Sequence, residues 1–100
     1  MQARDHLLKL NPERNALGKK LAEEAIILDS GYAMAYRVLG ATHMTDLWLG
    51  TSKSPKDSIA KAIELTKKAI ALDETYAEAY GQLGFLFSII GQHDKAIAEA

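Results

Sequence analysis

The stretch Tyr32-Ala33-Met34-Ala35-Tyr36-Arg37-Val38-Leu39-Gly40 returns as Tyr76-Ala77-Glu78-Ala79-Tyr80-Gly81-Gln82-Leu83-Gly84, 44 residues later. Widening the window to 21–40 against 65–84 gives eleven identities in twenty positions, including Leu21/Leu65, Ala25/Ala69, Leu28/Leu72 and Asp29/Asp73. Chance matches in a helix-rich chain do not reproduce an ordered Tyr-Ala-x-Ala-Tyr-x-x-Leu-Gly string. An internal repeat of this length means a stack of helical units, each burying its apolar face against its neighbours.

A second offset fixes the size of the unit. Lys61-Ala62-Ile63 recurs as Lys95-Ala96-Ile97, a step of 34. Gly40 to Ala62 is 22 residues but Gly84 to Ala96 is 12, so one 34-residue unit carries ten extra residues around Asp46–Pro55.

Composition agrees with an all-α chain. Its 100 residues include 16 Ala, 13 Leu and 8 Ile but one Val and five Thr, the bias of helix formers over strand formers. Asn11-Pro12-Glu13 and Ser54-Pro55-Lys56-Asp57 each read as a cap followed by proline in the first turn, where its missing N–H has no helical partner to lose. Leu17, Leu21, Ala25 and Leu28 form the apolar stripe of the helix that follows Asn11. Further helices are expected over about 31–48, from Ser54 to Asp73, and over about 75–90. Gly91 reads as a left-handed cap, with a last helix starting near His93. Leu7, Leu8 and Leu10 read as the end of an earlier helix at 1–10. That helix, the insertion at 46–55 and the final unit stopping at Ala100 make up a single domain over 1–100. Both ends read as cuts in a longer protein.

The same composition narrows the function. Twelve basic residues against thirteen acidic ones give a net charge of −1, with no electrostatic footprint for nucleic acid or anionic lipid. Cysteine is absent, which removes disulfides, thiolate nucleophiles and thiolate metal sites. No run approaches membrane-span length and no secretory leader is visible, so a cytoplasmic location is expected. His6, His43 and His93 are too widely spaced for a metal site. His43 and Asp46 lie three apart on one helix and read as a surface pair rather than a catalytic dyad. No cofactor and no enzymatic activity are expected.

The 34-residue helix–turn–helix with an aromatic-x-x-Leu-Gly-x-x-aromatic core and later alanines resembles the tetratricopeptide repeat. Tyr80, Leu83, Gly84, Phe87, Gly91 and Ala96 match it in one unit; Tyr36, Leu39, Gly40, Ala62 and Ala69 match it in the preceding one. Ser30 and Glu74 stand where a proline is usual, and His43 replaces an aromatic. The resemblance implies antiparallel pairs stacked in a right-handed superhelix of about two and a half repeats. It makes these matched residues the repeat-packing set. It also implies a concave groove lined by the first helix of each pair, here Met34, Arg37, Val38, Ala41, Met44 and Thr45, then Glu78, Gly81, Gln82, Phe85, Ser88 and Ile89. A scaffold or adaptor binding a protein or peptide is the implied function, with self-association through exposed repeat ends as a further expectation. A carboxylate clamp is not expected, because Arg37 stands alone and Glu78 would repel an anion. The Asn11–Asn15 opening, Thr42-His43 and the long insertion also resemble the regulatory repeat tail of bacterial class III nucleotide cyclases. Trp48, inside the insertion, is expected to tuck under its loop as a local core, with a partner contact as the alternative, since tryptophan is enriched at interface hot spots.

Overall fold

The computed structural model describes residues 11–99, with side chains through Gly91. Within them lie four helices: α1 (Pro12–Leu28), α2 (Ala33–Leu49), α3 (Pro55–Leu72) and α4 (Ala77–Glu99). Each packs on the next in chain order, the arrangement a stack of helical units requires. The expected partial helix at 1–10 lies outside the described residues.

The repeat is visible bond by bond in the two tight connections. After α1, Asp29 N–H donates to Ala25 O (2.9 Å), Tyr32 N–H to Asp29 O (3.1 Å) and Ala35 N–H to Tyr32 O (3.1 Å). After α3, Asp73, Tyr76 and Ala79 make the equivalent bonds to Ala69, Asp73 and Tyr76 at 3.0, 3.2 and 3.1 Å. Asp29 Oδ1 accepts from Gly31 N–H and Asp73 Oδ1 from Thr75 N–H, each at 3.0 Å. Aspartate suits this site because its short carboxylate closes a local turn that ends one helix and aims the chain into the next.

The core between α2 and α3 is built from small groups at close range. Ala62, Ala69 and Thr66 are fully buried on α3, facing Leu39 and Gly40, also buried, on α2. A Cβ on Gly40 would stand 3.1 Å from Thr66 Oγ1, 3.1 Å from Gln82 Nε2 and 3.2 Å from Ala62 O. A side chain here would be tighter than ordinary packing, so Thr66, Gln82 or the Ala62 backbone would have to give way by a few tenths of an ångström. Thr66 repays its burial by donating to Ala62 O (2.6 Å) while accepting from Gln82 Nε2 (2.8 Å), so no polar group is stranded.

The ten extra residues lengthen both helices of the first pair rather than forming a long loop. α2 runs on to Leu49, Gly50 closes it with φ 72° in the left-handed region, and α3 starts at Pro55. Gly50 is the left-handed cap of this chain, and its N–H bonds the Asp46 and Leu47 carbonyls. Asn11 caps α1 as expected, accepting from Arg14 N–H at 2.7 Å. Ser54 is the N-cap of α3 by backbone geometry, but its hydroxyl makes no capping bond.

Three expectations are corrected. Gly91 does not end a helix: α4 continues unbroken to Glu99, and Gly50 is the one glycine with positive φ among the described residues. A lone glycine costs only about 1 kcal/mol in a helix interior, and no proline follows to enforce a stop. The Leu17, Leu21 and Leu28 stripe faces outward, Leu28 being 88% exposed, and the buried residue of α1 is Ala22. α1 meets α2 through small residues: a Cβ on Gly18 would lie 3.8 Å from Thr42 Cγ2. On α4, Tyr80, Gly84 and Phe87 are exposed, while Ala79 and Leu86 are fully buried. The packing side of α4 is thus rotated from the one the signature residues mark. Ala96, in the same signature, lies beyond the described side chains.

Candidate functional site

α2 opens the pair α2–α3 and α4 is its repeat counterpart 44 residues on, and the groove residues divide into two groups. Arg37 and Gln82 belong to the joint between the α2–α3 pair and α4. Arg37 Nε donates to Tyr76 Oη at 2.7 Å and its guanidinium lies 5.6 Å from the centre of that ring. Gln82 Nε2 donates both to Arg37 O (3.1 Å) and to Thr66 Oγ1. These two side chains are half-buried and hydrogen-bonded within the protein. Thr45 Oγ1 is likewise engaged, donating to Ala41 O at 2.9 Å.

The other groove residues form a surface. Met34, Glu78, Phe85 and Ser88 are exposed, while Val38, Ala41, Met44 and Ile89 are half-buried beside them. Met34, Ala41, Met44 and Trp48 recur at helical spacing, so they share one face of α2. Trp48 is not tucked under its loop. It is 57% exposed and meets Phe85, 48% exposed, edge-on, with ring centres 5.7 Å apart at 68°. The extra turn of α2 carries the indole across to α4, an outcome the spacing could have suggested because Trp48 lies seven residues beyond Ala41 on the same stripe.

A polar clip secures the insertion. Asp46 Oδ1 accepts from Asn15 Nδ2 (2.8 Å) and Thr51 Oγ1 (2.9 Å), and Oδ2 lies 2.5 Å from Lys19 Nζ. Asn15 Nδ2 also donates to Thr42 O at 3.1 Å. Burial pushes the Asp46 carboxyl up, but the bonds from Lys19, Thr51 and Asn15 outweigh it and hold it below the usual range. Asp46 therefore bonds α1 and the loop, and it reaches His43 through its charge, which raises the His43 pKa against the larger lowering effects. Burial lowers the pKa of His43, and Lys19 and Lys61 lower it further. Ser52 and Ser58 close the loop with a 2.6 Å hydroxyl contact. The residues behind the resemblance to a cyclase tail (Asn11, Asn15, Thr42 and the insertion) thus cap, clip and close the first pair.

Lys67 and Lys68 are exposed and lie over the rings of Phe87 and Tyr36 at 5.8 and 6.0 Å. Among the described residues no group of three His, Cys, Asp or Glu side chains converges to hold a metal ion. No described helix is long and apolar enough to cross a membrane.

A depression of about 510 Å³ opens where the two tight connections meet, bounded by Tyr32, Met34, Leu72 and Tyr76 with Asp73 and Glu78.

Residues 65–98 match the family model described as Tetratricopeptide repeat. No curated protein and no solved structure matches the chain. The match covers the end of α3, the Asp73 turn and most of α4, and the Asp29 turn with α2 repeats the same turn hydrogen bonds: residues 65–98 carry a tetratricopeptide repeat.

Proposed function

We propose that the chain is an adaptor that binds a partner peptide along the face shared by α2 and α4. Tetratricopeptide repeats are in general protein-interaction modules without chemistry of their own, and the finer question is where this one binds. The observation that carries the answer is the Trp48–Phe85 pair. Two large aromatic side chains from different helices meet while each keeps about half its surface in water. Exposed aromatics of this kind supply large contact area at low entropy cost and are enriched at binding hot spots. Met34 and Ile89 extend the apolar surface, and Ser88 and Glu78 border it. A segment laid across α2 and α4 would cover the pair and gain the burial that folding leaves unclaimed.

The test is selection of a random peptide display library on the full chain, with Phe85→Glu and Trp48→Ala as counter-targets. Peptides that bind the parent and lose the variants, whose helical circular dichroism is unchanged, support the groove. Peptides that bind all three proteins alike refute it.

A further inference from the structure

The depression between the two tight connections has a chemistry of its own. Its walls are apolar: Tyr32, Met34 and Leu72 are partly exposed there and Tyr76 is half-buried. Its rim carries two carboxylates, Asp73 and Glu78. The surrounding segments 29–34 and 72–78 contain Asp29, Asp73, Glu74 and Glu78 and no basic residue. Helix ends do not cancel this charge. The partly positive starts of α2 and α4 are matched by the partly negative ends of α1 and α3 that lead into the same turns, which leaves the four carboxylates against the one Arg37 guanidinium at Tyr76. Asp73 is held ionised, since the Thr75 hydroxyl (2.7 Å) and the Thr75 N–H both donate to Oδ1 and lower its pKa. Arg37, outside those two segments, is bound to the Tyr76 hydroxyl and lies over its ring, so the protein itself shows one of the wall's rings engaging a guanidinium, while the Tyr32 ring is partly exposed.

We propose that this acidic, aromatic-walled depression receives the basic side chain, arginine or lysine, of the peptide bound along α2 and α4. The long apolar stem of such a side chain would lie against Met34, Leu72 and the tyrosine rings, and its charged head would meet Asp73 and Glu78. This inference rests on the groove reading above and adds a partner chemistry to it: an apolar anchor at Trp48–Phe85 and a positive charge at the other end. Helical rise places Met34 about 20 Å from Trp48 and Glu78 about 10 Å from Phe85. An extended peptide covers those spans in roughly three to six residues. The depression is therefore a specificity pocket for a short basic–aromatic motif, opposite in sign to a carboxylate clamp.

The experiment uses the uniformly 15N-labelled full chain and three acetylated, amidated peptides. The first has arginine and phenylalanine separated by about four Ser/Gly residues, matching the span above. The second replaces arginine by citrulline, which keeps the shape and removes the charge. The third replaces it by glutamate. The arginine peptide is expected to shift the amides of Tyr32–Met34 and Asp73–Glu78 together with those of Trp48 and Phe85. The citrulline peptide is expected to shift the Trp48 and Phe85 set alone and bind about tenfold more weakly, the glutamate peptide weaker still. The paired variant Asp73→Asn, Glu78→Gln, both near-isosteric at exposed positions, is expected to bring the arginine peptide down to the citrulline level and leave the citrulline peptide unchanged. Equal binding of the arginine and citrulline peptides overturns the pocket while shifts at Trp48 and Phe85 still uphold the groove. Shifts confined to Tyr32–Met34 and Asp73–Glu78 uphold the pocket and overturn the groove. Shifts at neither overturn both.

Discussion

Gly40 on α2 and Thr66 on α3 touch so closely that a methyl group on the glycine would stand 3.1 Å from the threonine hydroxyl. The repeat-equivalent Gly84 on α4 has nothing within 4 Å of the same point. One signature position thus has two opposite energetic meanings. Gly40→Ala forces the Ala62 backbone, Thr66 and Gln82 apart and is expected to cost about 1–3 kcal/mol. Gly84→Ala meets open space in a helix interior and is expected to stabilise by about 0.5–1 kcal/mol. Urea denaturation of the two variants checks this. Equal signs for the two changes would show that the α2–α3 approach is looser than described.

The contrast shows what was legible in the sequence. The offset of 44 located four helices and both Asp turns, because caps and turns are local and their residues (Asn11, Asp29, Pro55, Asp73) act on their own neighbours. The direction each helix faces was less legible. Leu17, Leu21 and Leu28 match a helical stripe better than Ala22 does, yet Ala22 is buried, because α1 approaches α2 through small side chains. Gly91 and Gly50 show the same limit. Both are glycines after a helical run, and only the backbone of the surrounding fold decides which adopts the left-handed conformation. Arg37 and Gln82 were recognised as facing the groove, but their bonds go to Tyr76, 39 residues away, and to Thr66 and the Arg37 carbonyl, which no local pattern announces.

Thr66 and Gln82 join α3 to α4 through one buried hydroxyl. Thr66→Val keeps the shape, removes the Gln82 acceptor and is expected to cost about 1–3 kcal/mol by leaving the amide short of a partner. Gln82→Leu removes the amide instead. Because both changes break the same bond, the double variant is expected to cost less than the sum of the two, by roughly 0.5–2 kcal/mol. Strict additivity in thermal and urea unfolding would mean that the amide does not depend on Thr66.

Asp46 sets the acid limit of the insertion. Its folded pKa lies below the ordinary 3.8 because Lys19, Thr51 and Asn15 hold the carboxylate against the opposing effect of burial. Folding therefore favours the ionised form. That stability is fully present above the unfolded value of 3.8 and is lost as pH falls through the folded value. Asp46→Asn, which lacks the charge that holds Lys19, is expected to flatten the pH dependence in this acid range. It is also expected to destabilise near neutral pH by about 1–3 kcal/mol. Urea midpoints collected from neutral pH down to the acid limit provide the comparison. An unchanged acid slope in the variant would assign the pH dependence to other carboxylates.

Trp48 is the one tryptophan of the chain, so its emission reports the α2–α4 face without labelling. Half its surface already meets water and the rest is sheltered in part by the edge of Phe85. Phe85→Ala removes that neighbour and is expected to shift the emission to the red. Losing an aromatic contact worth about 0.5–1.5 kcal/mol at an exposed site leaves the helices folded. Leu86→Ala, one residue along but fully buried, is expected to do the reverse. It costs about 2–5 kcal/mol through the cavity it opens and moves the emission only when the chain unfolds. The pair of variants separates a surface aromatic available to a partner from a core residue that carries the fold. If Phe85→Ala leaves the emission unmoved while Leu86→Ala shifts it in the folded state, the indole packs toward the interior and α2–α4 no longer presents the surface on which a peptide would sit.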